Sequence, residues 1–171
     1  VRPDTILATN TSNLDVGRIA RSVSEPSRVL GLHFFSPAHV MKLLEIVRGG
    51  RTAPETLGVG IALARMLGKV PVVAGVCDGF IGNRILTRYR QTADILLAEG
   101  ATPSSIDAAM RGFGMAMGPY EAQDMSGLDI AYANRQRQRL DGRADARMLP
   151  ILECLVEEHG RLGRKSMAGW Y

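Results

Sequence analysis

Cysteine is scarce: the 171-residue chain has two, Cys77 and Cys154. Two cysteines cannot build the framework of a disulfide-stapled secreted domain, and neither stands at zinc-ligand spacing from another Cys or His. Both are expected to be buried or half-buried free thiols in a reducing compartment. Aromatic residues make up only 5% of the chain. They do not interleave with the cations, so a base-stacking nucleic-acid surface is not supported. No apolar run reaches the roughly 18 to 20 residues of a membrane helix. The N-terminus lacks the basic–apolar–small pattern of a secretory signal. No G-x-G-x-x-G follows a strand and opens a helix; the nearest glycine cluster, Gly112 to Gly118, falls in a helical region.

What is present is a globular chain, 46% hydrophobic and 22% charged, apolar enough to bury a core and exclude disorder. The net charge is +4, and only three of the 21 cations are Lys. A dispersed Arg excess of this size suits an anionic small ligand as well as it suits a polyanion.

The first half alternates between two periods. Thr5–Ala8 reads as a short strand that runs straight into the polar cluster Thr9 to Asn13. A domain opening on a buried strand is expected to be a piece of a longer protein. A helix follows over Asp15–Arg21 with Asp15 as N-cap. Strands are predicted over Arg28–Phe35 (broken by Ser36-Pro37), Lys42–Val47 and Val70–Ala74. A helix over Pro54–Leu67 separates the last two, with Gly68 just past its end. After Cys77-Asp78-Gly79 the strand signal stops. Helices are predicted over Phe80–Glu99, Pro103–Arg111 (capped by Thr102), Pro119–Met125, Leu128–Leu140 and Leu149–His159. The tail of an α/β domain, residues 1–77, therefore joins an all-helical domain, residues 78–171.

His33 lies at the carboxyl end of a predicted strand, where open α/β sheets bind ligands and a general base is useful. Glu45 is the single acid in the apolar run Leu43 to Val47 and needs a partner there. An imidazole would serve, and the acid would in turn fix its tautomer. Asn10-Thr11-Ser12-Asn13 closes another strand and could either bind a ligand or cap the next helix. Asn83, inside an apolar helix start, could offer its amide to a carbonyl oxygen or satisfy the domain junction. His39 reads as a loop residue and His159 as a helix-end residue complementing the dipole. Arg135, Arg137, Arg139, Arg143 and Arg147 could meet phosphates, and read first as a solvated helix face and loop. Met110, Met115 and Met117 read as core filler.

Together these stretches resemble the L-3-hydroxyacyl-CoA dehydrogenase family. Gly31-Leu32-His33-Phe34-Phe35-Ser36-Pro37 is similar to its catalytic segment, and Val40 to Val47 to the strand bearing the acidic partner. Asn10-Thr11-Ser12 is similar to its substrate loop and Asp78-Gly79-Phe80-Ile81-Gly82-Asn83-Arg84 to its junction helix. Met117 to Glu121, Asp124 to Asp129, and Gly163 to Tyr171 follow the helical domain. Asn13, Ser36 and Met167-Ala168-Gly169 depart from the usual pattern, and none of these removes the His–Glu pair.

The resemblance implies the C-terminal part of a Rossmann-like NAD-binding domain followed by an all-α domain of the 6-phosphogluconate dehydrogenase C-terminal-like type. It implies His33 as general base, Glu45 as its orienting acid, Ser12 at the substrate and cofactor, and Asn83 polarising the forming carbonyl. Ser36 and Lys165 would contact NAD. The implied substrate is a 3-hydroxyacyl-CoA in fatty-acid β-oxidation, the parent a multifunctional enzyme, and the location a bacterial cytoplasm. No metal, nucleic acid or membrane is implied. A homodimer or intramolecular pseudo-dimer through the helical domain is expected, with the cut sheet edge inviting pairing. Without the phosphate-binding turn, these residues alone are expected to lack useful activity. The alternatives on the same fold are a 3-hydroxybutyryl-CoA or other β-hydroxyacid dehydrogenase, and a non-catalytic structural module.

Overall fold

The computed structural model describes Arg2 and residues 4–12, 14–142 and 147–171. Asn13 and Arg143, both singled out in the sequence, lie outside the described residues. Two compact units divide the chain at Leu86/Thr87.

The first unit is a four-stranded sheet in the order β1 (Leu7–Thr9), β2 (Val29–Phe34), β3 (Leu43–Arg48), β4 (Val70–Gly75). β1 pairs parallel to β2 and β3 parallel to β4, but β2 and β3 run antiparallel, with His33 opposite Glu45. Side chains alternate across the strands and fill two layers. On one face Val29 and Val47 pack with Ala74, Phe80, and Val16 and Ala20 of α1 (Val16–Ala20). On the other, Leu30, Leu32, Leu44 and Ile46 pack against Ala64 of α2 (Pro54–Met66), with Leu57 and Ile61 alongside. Gly60 lets α2 lie this close, because a Cβ there would stand 2.6 Å from Leu30 Cδ1.

Asp15 caps α1 as expected, its Oδ1 accepting from the Gly17 amide at 2.7 Å. The strands and α2 fall within two residues of their predicted ends. α3 runs over Gly82–Ala98 rather than from Phe80, because Phe80 has φ +48 and cannot join a right-handed helix.

The second unit packs most of α3 with α4 (Pro103–Phe113), α5 (Pro119–Ser126), α6 (Leu128–Leu140) and α7 (Ile151–Glu153), the last continuing into a π-helical turn over Cys154–Glu158. α7 starts two residues later than the apolar pattern suggested, since the residue before Pro150 is disfavoured in a helix. Ala93, Ile106 and Tyr120 form the core, with Trp170 stacked on Tyr120 at 4.3 Å. Asp107, fully buried, accepts the Tyr120 and Glu121 amides of α5 at 3.0 and 2.9 Å and the Tyr171 hydroxyl at 2.7 Å. Burial and that hydroxyl bond push the Tyr171 phenol up. Asp107→Ala strips three donors of their acceptor, at a cost of about 3 kcal/mol. Thermal melts should show a midpoint lower by about 6–10 °C; an unchanged midpoint would remove Asp107 as an anchor.

Two expectations are corrected. Arg135 is not on a solvated face: its side chain is 11% exposed and bonds Asp94 at 3.0 Å and Glu153 at 3.1 Å. Met115 is not core filler, being 44% exposed, whereas Met110 and Met117 are half-buried. Met115 follows Gly114, which ends α4 in a left-handed conformation and breaks the stripe. Both cysteines are half-buried and unbridged. His39 is an exposed loop residue, and His159, also exposed, caps the π-turn. Among the described residues no helix is long and apolar enough to cross a membrane.

Candidate active site

β1 and β2 run parallel, so their carboxyl ends emerge at the same edge of the sheet. That edge carries the Asn10–Ser12 loop from one strand and His33 from the other. Asn10 ties the two ends together, its Oδ1 accepting from the Phe34 amide at 3.0 Å. Thr11 Oγ1 accepts from the Leu14 amide at 2.8 Å. The loop therefore turns the chain toward α1 and also presents Ser12 to the sheet edge; the two readings of this loop are compatible.

Ser12, His33 and Glu45 form one hydrogen-bonded chain. His33 Nδ1 lies 2.7 Å from Glu45 Oε2, and His33 Nε2 lies 3.1 Å from Ser12 Oγ. His33 is 3% exposed and Glu45 0%. A buried carboxylate must have every oxygen satisfied. The second oxygen of Glu45, Oε1, accepts from the backbone amides of Ile81 at 2.9 Å and Gly82 at 2.8 Å. These are donors at the start of α3, where negative charge is favoured by the orphan N–H groups and the helix dipole. Because an ionised carboxylate only accepts, Nδ1 donates to it, and the neutral imidazole then carries its lone pair on Nε2, toward Ser12.

Two aromatic rings hold the imidazole. Phe35 packs at 4.5 Å between ring centroids and Phe80 at 5.4 Å, edge-on. Gly82 makes room for this arrangement: a Cβ there would stand 2.7 Å from Phe35 Cζ. Ile81, Gly82, Phe35 and Phe80 fall in the family-like stretches, but the sequence assigned none of them a role of its own. The available signal was the glycine-flanked helix start at Gly79 to Gly82, which frees backbone amides close to a strand that carries an acid.

Asn83 stands on the first turn of α3, beside the amides that hold Glu45. Ser36 is exposed just beyond β2, preceding Pro37 through a cis peptide bond. Lys165 is in the second unit, on a 3-10 turn over Arg164–Ser166, where its ammonium pairs with Asp129 and holds that carboxyl below its usual range. The geometry thus joins Ser12, His33 and Glu45 directly, sets Asn83 on the helix that anchors Glu45, and gives Ser36 and Lys165 surroundings of their own. The π-turn brings Cys154, Glu158 and His159 ligand atoms within 4.8 Å of one another, two of the three residues being exposed.

Comparison with known proteins matches the chain along its length. The family model described as 3-hydroxyacyl-CoA dehydrogenase, NAD binding domain, covers residues 1–77. The model described as 3-hydroxyacyl-CoA dehydrogenase, C-terminal domain, covers residues 79–171. The peroxisomal bifunctional enzyme of Cavia porcellus is 44% identical over 99% of this chain and 25% of its own length. The fatty acid oxidation complex subunit alpha of Acinetobacter baylyi is 37% identical over 100% of this chain and 24% of its own. The chain therefore spans about a quarter of the length of the curated relatives it matches. Among solved structures, (S)-3-hydroxybutyryl-CoA dehydrogenase from Ralstonia eutropha superposes with a TM-score of 0.88 at 34% identity, covering 99% of this chain and 61% of that one. The 3-hydroxybutyryl-CoA dehydrogenase from Escherichia coli gives 0.88 at 38%, covering 99% and 37%.

Proposed function

The chain belongs to the 3-hydroxyacyl-CoA dehydrogenase family, and on that premise we propose that the full-length protein oxidises an L-3-hydroxyacyl-CoA to the 3-ketoacyl-CoA with NAD as hydride acceptor. The observation that carries this reading is the Glu45–His33–Ser12 chain at the ligand-binding edge of the sheet. The residues present fit the nicotinamide end of the cofactor, for they offer a hydroxyl and an imidazole at the carboxyl ends of two parallel strands. Bound NAD supplies the acceptor for the hydride that leaves C3.

The work of this chain is to move a proton and fix geometry. His33 Nε2 takes the proton of the 3-hydroxyl while the C3–H bond breaks and the carbonyl forms. Glu45 holds Nδ1–H and offsets the imidazolium charge that results. Ser12 orients the hydroxyl against Nε2. Asn83 is assigned to the forming carbonyl because its helix turn adjoins the Glu45 anchor. Ser36 and Lys165 are assigned to the cofactor on family resemblance alone. The domain division at residues 77/78 is supported by the meeting point of the two family matches. Self-association through the helical unit is assigned on family resemblance alone. Bacterial and peroxisomal proteins both appear among the relatives; the free thiols and the bacterial likeness support a bacterial cytoplasm.

The full-length protein should form NADH from L-3-hydroxybutyryl-CoA and not from the D enantiomer. Equal rates on the two enantiomers, or none on either, would overturn the reading. A series from butyryl to palmitoyl thioesters separates a short-chain enzyme, favoured by the solved relatives, from a β-oxidation enzyme of broad range. A non-catalytic module is disfavoured by a buried acid and imidazole so oriented, since a scaffold gains little from such a pair.

A further inference from the structure

The helical unit contains a cavity of about 50 Å³, lined by residues of α3, α5 and α6 with Met148 and Leu152. About 10–15 Å³ admits a single water, so the space takes a group of about four or five heavy atoms. Its wall is basic and amide-rich: Arg90, Gln91, Gln123, Asn134, Arg135 and Gln138.

Gln91 and Gln123 are 6% and 3% exposed, yet the amide nitrogen of each has no hydrogen-bond partner among the described residues, and neither has the buried Nε of Arg90. Buried donors are almost always paired, and each exception calls for an explanation. The Gln91 amide cannot simply be turned over. Its Oε1 already accepts from Arg88 at 2.8 Å, which commits the nitrogen to the other side. The neighbouring acceptor on Asn134 is likewise engaged, by Arg137 at 3.0 Å.

The charges point the same way. Arg135 bonds both Asp94 and Glu153, and Arg139 adds a second guanidinium to Glu153 at 2.8 Å. With Arg90 included, three guanidiniums face two carboxylates among the described residues. Burial is the main reason that the Arg90 pKa is lowered and the Asp94 pKa raised, as expected for a desolvated cluster.

A ligand that only accepts hydrogen bonds and carries negative charge would satisfy all of these groups at once. We propose that this cavity binds a small oxyanion of the phosphate or sulfate class, held by Arg90, Gln91 and Gln123. A space of this size takes the free ion. The site lies wholly within the second unit and does not depend on the dehydrogenase reading.

The test is the melting midpoint of the full chain in inorganic phosphate, set against NaCl at matched ionic strength. At a hundredfold excess over its dissociation constant, phosphate should raise the midpoint by about 5 °C or more. Arg90→Met and Gln123→Leu should lose that rise. Gln123→Glu places a carboxylate where the ion would sit. It should melt higher than wild type without phosphate and gain nothing when phosphate is added. An equal response to phosphate and NaCl overturns the proposal, as does a Gln123→Glu variant that keeps the wild-type response.

Discussion

His33→Gln lowers kcat of the full-length protein by about 10²–10⁴-fold and leaves the KM for the acyl-CoA within a few-fold. The size of the effect follows from the position of Nε2. It lies 3.1 Å from Ser12 Oγ, and it is the one lone pair at the sheet edge that Glu45 keeps free to accept. A glutamine amide fills similar space and can still hydrogen-bond, so binding survives while proton transfer does not. An interaction made only as the proton moves affects kcat and spares KM. Steady-state kinetics on the two proteins decide it; equal kcat values would remove His33 from the chemistry.

Glu45→Gln is the second large effect, and it acts through His33. The acid uses Oε2 for the imidazole and Oε1 for two backbone amides, so both oxygens must accept. A glutamine has one acceptor and one donor end. If the oxygen stays with Ile81 and Gly82, the NH2 faces Nδ1, which must then accept. The imidazole proton moves to Nε2, the wrong tautomer for a base. If the oxygen stays with Nδ1, the NH2 is set against two N–H donors at the start of α3. The first outcome removes about 10⁴-fold from kcat. Either outcome exchanges charge-assisted bonds for weaker or unmade ones and costs about 2–3 kcal/mol, or about 5–10 °C in the melting midpoint. Measuring both on one preparation separates the roles: wild-type kcat with a lowered midpoint would make Glu45 purely structural.

Much of this was legible in the sequence, for identifiable reasons. The end of a predicted strand marked His33 as a base, and an acid in an apolar run announced that it needed a partner. The helix ends at Asp15 and Thr102 were legible from their capping side chains. What escaped was carried by backbone or by distance. Glu45 takes two of its three hydrogen bonds from main-chain amides, which have no letter in a sequence. Phe80 adopts a left-handed conformation that no propensity assigns to a phenylalanine. Arg135 looked solvated because its partners, Asp94 and Glu153, lie 41 and 18 residues away, beyond the reach of any helical period.

The carboxylate that orients the imidazole is also the seat of the helix that follows the sheet. The strands by themselves can bring His33 opposite Glu45, but a sheet without the turn after β4 leaves half of that acid's acceptors facing nothing. On the proposed role of His33, a polypeptide without the turn after β4 carries the imidazole and the acid but lacks the two amides that fix that acid, so a competent base needs the start of α3 in place.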